Sequence, residues 1–282
     1  MHPIFIQLGP ITVYWYGVLA AIAAMVAYYL LLRNRKYANM SKDQASSIIF
    51  YCVIFGGAIG ARIFYVLLNL DQFRGGNWSS VFRIDQGGLV FYGGFFLAVT
   101  LLVLYCLRNK LSIIAVFDVM APALAIGHGI ARVGCLMTGC CYGKPTEFFL
   151  SVTYPASHEI AGIAVHPSQI YEAITNTILG LFLLWLLKRS YRGVTFSAYI
   201  IGYAILRFLN EFLRGDHPDT ELVCGLAPAQ LIGLLLLPLG VALMIYFARR
   251  KEPPVAAVEA EAQVAEHGSK NRKKKRKKRN GS

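Results

Sequence analysis

The chain has 282 residues, 56% of which are hydrophobic, and its mean hydropathy is +0.50. This composition is too apolar for a water-soluble protein of this size and indicates a membrane protein. The net charge is +13, but nine of the lysines and arginines lie between Lys270 and Ser282. The rest of the chain is only mildly basic, which argues against nucleic acid as a partner of the main body.

Seven apolar segments are long enough to cross a hydrocarbon layer of about 30 Å, which takes about 20 residues of helix. They lie at residues 12–32, 46–68, 88–107, 111–130, 168–187, 193–213 and 227–247. The predicted fold class is an all-α polytopic membrane protein of about seven transmembrane helices, formed by residues 1–251. Because the N-terminus lacks a basic region and a small-residue cleavage site, we expect the first segment to remain as an uncleaved anchor.

Cations follow every second predicted helix. They are Arg33, Arg35, Lys36, Lys42, Arg108, Lys110, Lys188, Arg189, Arg192, Arg249, Arg250 and Lys251. Because short cytoplasmic loops are enriched in lysine and arginine, we predict an N-terminus outside and a C-terminus in the cytoplasm. The longest outside connection, residues 131–165, contains a strand-like FFLSVTY segment and is predicted to form a small extracytoplasmic head.

The last segment, residues 252–282, combines an Ala/Glu/Val/Pro linker with the basic run KNRKKKRKKR. This composition cannot bury a core, so we expect a disordered cytoplasmic tail. The favoured interpretation is attraction to anionic lipid head groups. Contact with nucleic acid or the ribosome is the less favoured alternative.

Charged residues in or beside the apolar segments are candidate functional residues, because burying a charge in a membrane is costly. Arg62 follows a glycine-rich stretch and is interpreted either as a link between helices or as part of a polar cavity. Arg207 and Glu211 are four residues apart and share a helix face, with Arg214 one turn further on. This pattern fits a structural ion pair, but a doubly cationic face also suits a phosphate-bearing ligand.

Further polar residues lie near the predicted outer ends of the helices. Arg132 lies in GIARVGCLMTGCCYGKP, a glycine-punctuated turn whose backbone amides can face an anion. HPSQIYEA places Gln169 and Glu172 on one side of a helix start, which is a weak signal alone. Tyr92 lies between two Gly-Gly pairs, where a tyrosine commonly serves as an interfacial anchor.

The six cysteines are Cys52, Cys106, Cys135, Cys140, Cys141 and Cys224. They form neither a C-x-x-C pair nor a disulfide framework. Metal binding or redox work by Cys135, Cys140 and Cys141 is a further alternative, since cysteine with His128 or His166 can ligate zinc, but the spacing is not a recognised one. Packing as small hydrophobic residues is therefore the favoured interpretation, and we predict no metal and no cofactor.

Taken together and in order, the motifs resemble bacterial prolipoprotein diacylglyceryl transferase over roughly residues 5–248. They are VYWYG, GARIFYVL, GGLVFYGG, ARVG with TGCCYG, HPSQIYEA and RFLNEFLR. The resemblance implies a seven-helix enzyme of the bacterial inner membrane. It would move the diacylglyceryl group of phosphatidylglycerol onto the lipobox cysteine thiol of a prolipoprotein signal peptide and release glycerol phosphate.

Two alternatives remain open beside this transferase. One is a diverged relative on the same fold that binds lipid or transfers to a different acceptor. The other is a transporter or channel, which we disfavour because the hydropathy pattern shows neither repeat symmetry nor paired broken helices.

The resemblance also implies roles for individual residues. Arg132 corresponds to the family's phosphatidylglycerol-contacting arginine, Arg207 with Glu211 to its essential Arg/Glu pair, and Tyr16 to the tyrosine of its first helix. The residues predicted to bind phosphatidylglycerol are Arg62, Arg132, Gly134, Gly143 and Arg214. The predicted catalytic residues are Tyr16, Tyr92, Arg207 and Glu211.

The sequence departs from the family's signature at four positions. Tyr92 stands where the family usually has histidine, and Cys135, Thr138 and Cys140 stand in place of asparagine, asparagine and glutamate. A histidine accepts a thiol proton at neutral pH, whereas a tyrosine with a pKa of about 10 is a poor base unless arginines lower that pKa. We therefore predict that Tyr92 either replaces the histidine as a phenolate beside an arginine or only orients the substrate.

Overall fold

The computed structural model describes residues 3–9, 11–73, 81, 88–156, 158–216 and 225–253. Cys224 and the basic run of the predicted tail lie outside the described residues. The described residues are mostly helical. The helices are α1 (Trp15–Asn34), α2 (Lys42–Phe50), α3 (Ala61–Leu68), α4 (Leu70–Phe73), α5 (Phe91–Arg108), α6 (Ile113–Thr138), α7 (Ser168–Leu187), α8 (Val194–Glu211) and α9 (Pro228–Arg250).

Within the described part of the chain, six helical segments are long and apolar enough to cross a membrane. They are Trp15–Ala38, Lys42–Leu68, Phe91–Arg108, Ile113–Thr138, Ser168–Leu187 and Pro228–Arg250. The chain is therefore a multi-pass membrane protein, as predicted. The sixth predicted span is also a helix, α8, but it is not among these six. Because Arg207, Asn210 and Glu211 lie at its end, α8 is more polar than the others, and the total of seven spans stays a prediction.

The second span is a composite helix. α2 begins at a capping box, in which the Ser41 hydroxyl accepts from the Gln44 amide and the Gln44 side chain accepts from the Ser41 amide. A π-helical stretch, Tyr51–Gly60, joins α2 to α3. Gly60 faces the Leu97 side chain of α5, where an added Cβ would lie 3.0 Å away, so this stretch packs closely against α5.

A hairpin precedes the first span. Strand β1 (Ile4–Leu8) pairs antiparallel with β2 (Ile11–Tyr14), and α1 begins directly after β2. The sequence analysis placed the start of the first helix at residue 12 and predicted no strand there. That boundary was wrong because an apolar strand and an apolar helix start have similar hydropathy.

The predicted head is folded. Strand β3 (Val152–Thr153) pairs antiparallel with β4 (Ala164–Val165). An isolated bridge joins Gly143 of this region to Arg214, just beyond the end of α8. The head therefore lies against the ends of α6, α7 and α8, near the predicted residues Arg132, Arg207, Glu211 and Arg214.

Helix α6 lies at the centre and packs against α1, α7 and α8. Its buried Asp118 accepts from the backbone amides of Gly193 at 2.5 Å and Phe196 at 2.8 Å. A carboxylate of one helix thus caps the N-terminus of another, which fixes the position of α8 relative to α6. The sequence analysis did not single out Asp118, because its partners lie more than seventy residues along the chain.

Candidate active site

Glu172 of α7 is the centre of a network of charges drawn from three helices. Its side chain is 5% exposed, and its Oε1 accepts from Arg207 Nη1 at 2.7 Å and from Asn210 Nδ2 at 2.6 Å. Its Oε2 pairs with Nε of Arg132 on α6. One buried carboxylate therefore holds the guanidinium groups of α6 and α8 together, which offsets the cost of burying all three charges. As generic chemistry, HPSQIYEA gave only a weak signal for Glu172, although the same motif carries part of the family resemblance.

The network continues from Arg207 toward the end of α8. Arg207 Nη2 pairs with Glu211 Oε2 at 2.9 Å, as the four-residue spacing predicted. Arg214 Nη1 lies 3.5 Å from the same carboxylate, and its Nε and Nη2 donate to Asp216 at 2.9 and 2.8 Å. Burial opposes the charge of Arg214, but hydrogen bonding to Asp216 and the charges of Asp216 and Glu211 raise its pKa, so Arg214 stays protonated.

His128 belongs to this network rather than to a metal site. It lies one turn before Arg132 on α6, and Arg132 Nε donates to His128 Nε2 at 3.0 Å. The same ring nitrogen lies 3.5 Å from Glu172 Oε2, and the ring packs edge-on against Tyr203 of α8. His128 therefore helps to hold Arg132, a position the sequence analysis did not foresee.

The two predicted glycines permit close packing at the site. An added Cβ at Gly134 would lie 3.2 Å from the Tyr16 ring, so Gly134 brings α6 against the start of α1. The Gly143 amide donates to the His166 carbonyl at 3.0 Å, and an added Cβ there would lie 2.6 Å from the His166 side chain. Gly143 thus holds the head against the start of α7, and its own amide is already bonded.

The HPSQ segment clamps the loop that follows α6. Ser168 Oγ donates to the Cys141 carbonyl at 2.6 Å, and Gln169 Nε2 donates to the Cys140 carbonyl at 2.7 Å and to the Tyr154 hydroxyl at 2.9 Å. Both clamping side chains are almost fully buried. The loop therefore has a fixed conformation beside Arg132.

That loop brings three thiols together. The Sγ atoms of Cys135, Cys140 and Cys141 all lie within 4.8 Å of one another. Arg132 Nη1 lies 4.0 Å from Cys135 Sγ, and Thr138 Oγ1 lies 3.3 Å from Cys140 Sγ. The chain spacing alone did not indicate this cluster.

Tyr92 and Arg62 lie in a different group at the start of α5. Tyr92 is about half exposed, contacts the ring of Phe91 and makes no hydrogen bond with any described residue. Arg62 is buried and donates through Nε to the Val81 carbonyl at 2.8 Å and through Nη1 to the Gly88 carbonyl at 3.1 Å. The contacts described for Arg62 therefore join α3 to the connection that leads into α5.

Comparisons with known proteins identify the family of the chain. A family model described as prolipoprotein diacylglyceryl transferase matches residues 3–246. A phosphatidylglycerol–prolipoprotein diacylglyceryl transferase from Clostridium tetani is 30% identical over 243 residues, which cover 86% of this chain and 96% of that protein. Proteins of the same name from Staphylococcus carnosus and Clostridium botulinum are 33% and 34% identical, over 90% and 88% of this chain and 93% and 96% of their own lengths. The chain is a member of the prolipoprotein diacylglyceryl transferase family.

Proposed function

We propose that this enzyme transfers the diacylglyceryl group of phosphatidylglycerol to the lipobox cysteine thiol of prolipoprotein signal peptides and releases glycerol phosphate. The observation that carries the proposal is the Glu172 network, in which Arg132 and Arg207 share one buried carboxylate and Arg214 follows on. Three fixed guanidinium groups beside a lipid-facing region suit a phosphodiester. The names and the coverage of the relatives support the same conclusion.

The reaction requires stabilisation of a leaving phosphate. The acceptor thiol loses its proton to solvent, and its sulfur forms a bond to the glyceryl CH2 while the bond from that carbon to the phosphate oxygen breaks, with the electron pair on the phosphate. Arginines held in place before the reaction stabilise this growing charge without reorganising. In this proposal Arg132, Arg207 and Arg214 bind the phosphate, and Glu172 and Glu211 hold the arginines in position.

The remaining predicted residues receive supporting roles in this proposal. Tyr16 and Gly134 form the contact between α1 and α6 beside Arg132, and Gly143 fixes the head. Arg62 holds the connection into α5, where exposed Phe91, Phe95 and Phe96 offer a surface for acyl chains. Because no arginine donates to the Tyr92 hydroxyl among the described contacts, we assign Tyr92 to orienting the substrate rather than to accepting a proton.

The proposed location is the bacterial inner membrane, with the N-terminus outside and the C-terminus in the cytoplasm. The cations that follow α1, α5, α7 and α9 support this orientation, because the ends of these helices lie together: Ala38, Cys106 and Leu187 share one core cluster, and the Arg192 amide donates to the Glu252 carbonyl. The proposed division has a membrane domain of residues 1–251 and a tail of residues 252–282 that binds anionic lipid rather than nucleic acid.

The test is transfer by the purified chain in bilayers that contain phosphatidylglycerol, with a lipobox peptide as acceptor. We expect a mass increase of the peptide by one diacylglyceryl group and release of glycerol phosphate. A peptide with serine in place of the lipobox cysteine, or bilayers of phosphatidylethanolamine alone, should give neither. Binding of phosphatidylglycerol without transfer would favour the diverged relative.

A matched pair of arginine variants tests the site within the same assay. Arg207→Ala removes one partner of Glu172 and one partner of Glu211, so we expect at least a 100-fold loss of transfer, in the range found for loss of a transition-state hydrogen-bond donor. Arg189→Ala is the control. Arg189 follows the end of α7, and its guanidinium lies over the ring of Trp185 rather than in the Glu172 network. Equal activities of the two variants would contradict the proposed role of the network.

A further inference from the structure

The cysteine cluster has the geometry of a metal-binding site. In a tetrahedral zinc site each Zn–S bond is about 2.3 Å, which places neighbouring sulfurs about 3.8 Å apart. The three Sγ atoms already lie within 4.8 Å of one another, so small side-chain rotations bring them to ligand distance. Within the described residues they come from two points of the chain, Cys135 in the last turn of α6 and the pair Cys140 and Cys141 after it.

The backbone around the cluster is held in an uncommon conformation. Gly139 ends α6 with φ of 83°, and Cys141 has φ of 63°, a left-handed conformation that is unfavourable for a residue with a side chain. The hydrogen bonds from Ser168 and Gln169 to the Cys141 and Cys140 carbonyls keep this conformation. The scaffold thus turns both thiols of the adjacent pair toward Cys135.

Packing alone does not account for this arrangement. Cys106 is fully buried in the helix core, as expected for a cysteine that packs as a small hydrophobic residue. Cys140, in contrast, is exposed, and the cluster lies beside a cation, Arg132. Three thiolates around Zn²⁺ carry a net charge of −1, which the Arg132 guanidinium complements.

We propose that Cys135, Cys140 and Cys141 bind one thiophilic divalent cation, Zn²⁺, as thiolates, and that its fourth position takes the acceptor thiol. This inference rests on the proposed function. Three protein ligands and one open position are the arrangement of catalytic zinc sites. The exposure of Cys140 provides the open side.

The chemistry balances without a change of oxidation state. Coordination converts the acceptor thiol to a thiolate, and its proton goes to water. The sulfur then forms the C–S bond as the C–O bond to phosphate breaks, with the electron pair on the phosphate oxygen. The thioether product is neutral, binds zinc less strongly and leaves. The cation thereby supplies the thiol deprotonation for which the proposed function names no side-chain base.

The first experiment measures metal binding without reference to activity. Untagged full-length protein in bilayers is purified from cells grown with zinc, and bound metal is determined by elemental mass spectrometry. We expect one Zn²⁺ per chain. After exchange for Cd²⁺, we expect an ultraviolet thiolate-to-metal absorption with the intensity of three thiolates. A parent protein that transfers lipid but binds no metal would overturn the site while the proposed function stands.

Two variants assign the ligands. Cys140→Ser changes an exposed side chain, so the protein is expected to fold and to lose metal affinity at least tenfold. Cys52→Ala is the control, because Cys52 lies against the Ala98 carbonyl between the second span and α5, and it should bind metal like the parent. Equal affinity of the Cys140→Ser variant and the parent would overturn the assignment.

Binding of the acceptor thiol to the cation is tested by the same ultraviolet absorption. Addition of a lipobox peptide to the Cd²⁺-loaded protein should raise the absorption from three thiolates to four, and the serine peptide should not. An absorption that stays at three thiolates would overturn the claim that the cation binds the acceptor. The fourth thiolate signal in a protein that transfers no lipid would confirm the site and contradict the proposed function.

Discussion

Two groups of predicted site residues differ in how they are held. The Glu172 network joins side chains of α6, α7 and α8 and of the residues just after α8. Its members are His128, Arg132, Glu172, Arg207, Asn210, Glu211 and Arg214. At the start of α5, Arg62 donates to backbone carbonyls, and the Tyr92 ring contacts Phe91 while its hydroxyl bonds to no described residue. The network fixes charges that a phosphate can use, whereas the start of α5 fixes a connection. The difference predicts that variants of the network lose far more activity than variants at the start of α5.

The largest effect is expected for Glu172→Gln. The amide keeps the size of the side chain but leaves Arg132 and Arg207 without their shared counter-charge, so both move from position. We expect roughly a 10²- to 10³-fold loss of kcat/KM for lipid transfer to the peptide. Glu159→Gln is the control, because Glu159 is an exposed carboxylate of the head that accepts from Tyr142. If the kcat/KM of Glu172→Gln lay within threefold of that of Glu159→Gln, the Glu172 network would not be more important for activity than the start of α5.

Arg207→Lys should have a smaller effect. A lysine retains the charge but cannot donate in two directions from a planar fork to Glu172 and Glu211. We expect about a 10- to 100-fold loss of kcat/KM, mainly in kcat, since one ion pair of about 2 kcal/mol or more is lost. The measurement is the transfer assay over a range of phosphatidylglycerol contents. An unchanged kcat would show that the two-way pairing of Arg207 does not matter.

Arg62→Lys should change activity less again. Lysine can keep one of the two bonds to the Val81 and Gly88 carbonyls, so the connection into α5 is weakened rather than lost. We expect the free energy of unfolding of the purified protein to fall by about 1 kcal/mol. We also expect kcat/KM to fall by less than about tenfold. A loss as large as that of Glu172→Gln would place Arg62 in the phosphate site.

The smallest effect is expected for Tyr92→Phe. The Tyr92 hydroxyl bonds to no described residue, so its removal leaves the ring contact with Phe91 intact. We expect kcat/KM within about threefold of the parent and an unchanged pH profile, because a proton acceptor would contribute at least about 10²-fold. A large loss that is confined to kcat would instead support a phenolate at Tyr92.

Short-range patterns in the sequence predicted part of this site. The spacing of Arg207 and Glu211 predicted their pairing, because residues four apart are neighbours on the same face of a helix. Glu172 gave only a weak signal, since its partners come from α6 and α8 and meet it only through helix packing. The cysteine cluster depends on the left-handed turn at Gly139 and Cys141, which cysteine spacing does not reveal.

The fold was predictable to a similar extent. Hydropathy located the long helices, because about 20 apolar residues leave few alternatives in a membrane protein. It did not predict the β1–β2 hairpin, in which apolar residues pair as strands before α1. It also cannot decide whether α8 spans, because Arg207 and Asn210, which lower its hydropathy, bond to Glu172, and Glu211 pairs with Arg207.

The most direct test of the Glu172 network is complementation in a bacterium depleted of its own diacylglyceryl transferase. The parent chain, Glu172→Gln and Glu159→Gln are expressed at matched levels in the membrane, and prolipoprotein processing is followed. The account predicts that the parent and Glu159→Gln restore processing and that Glu172→Gln does not. Restoration by Glu172→Gln at the level of the parent would contradict it.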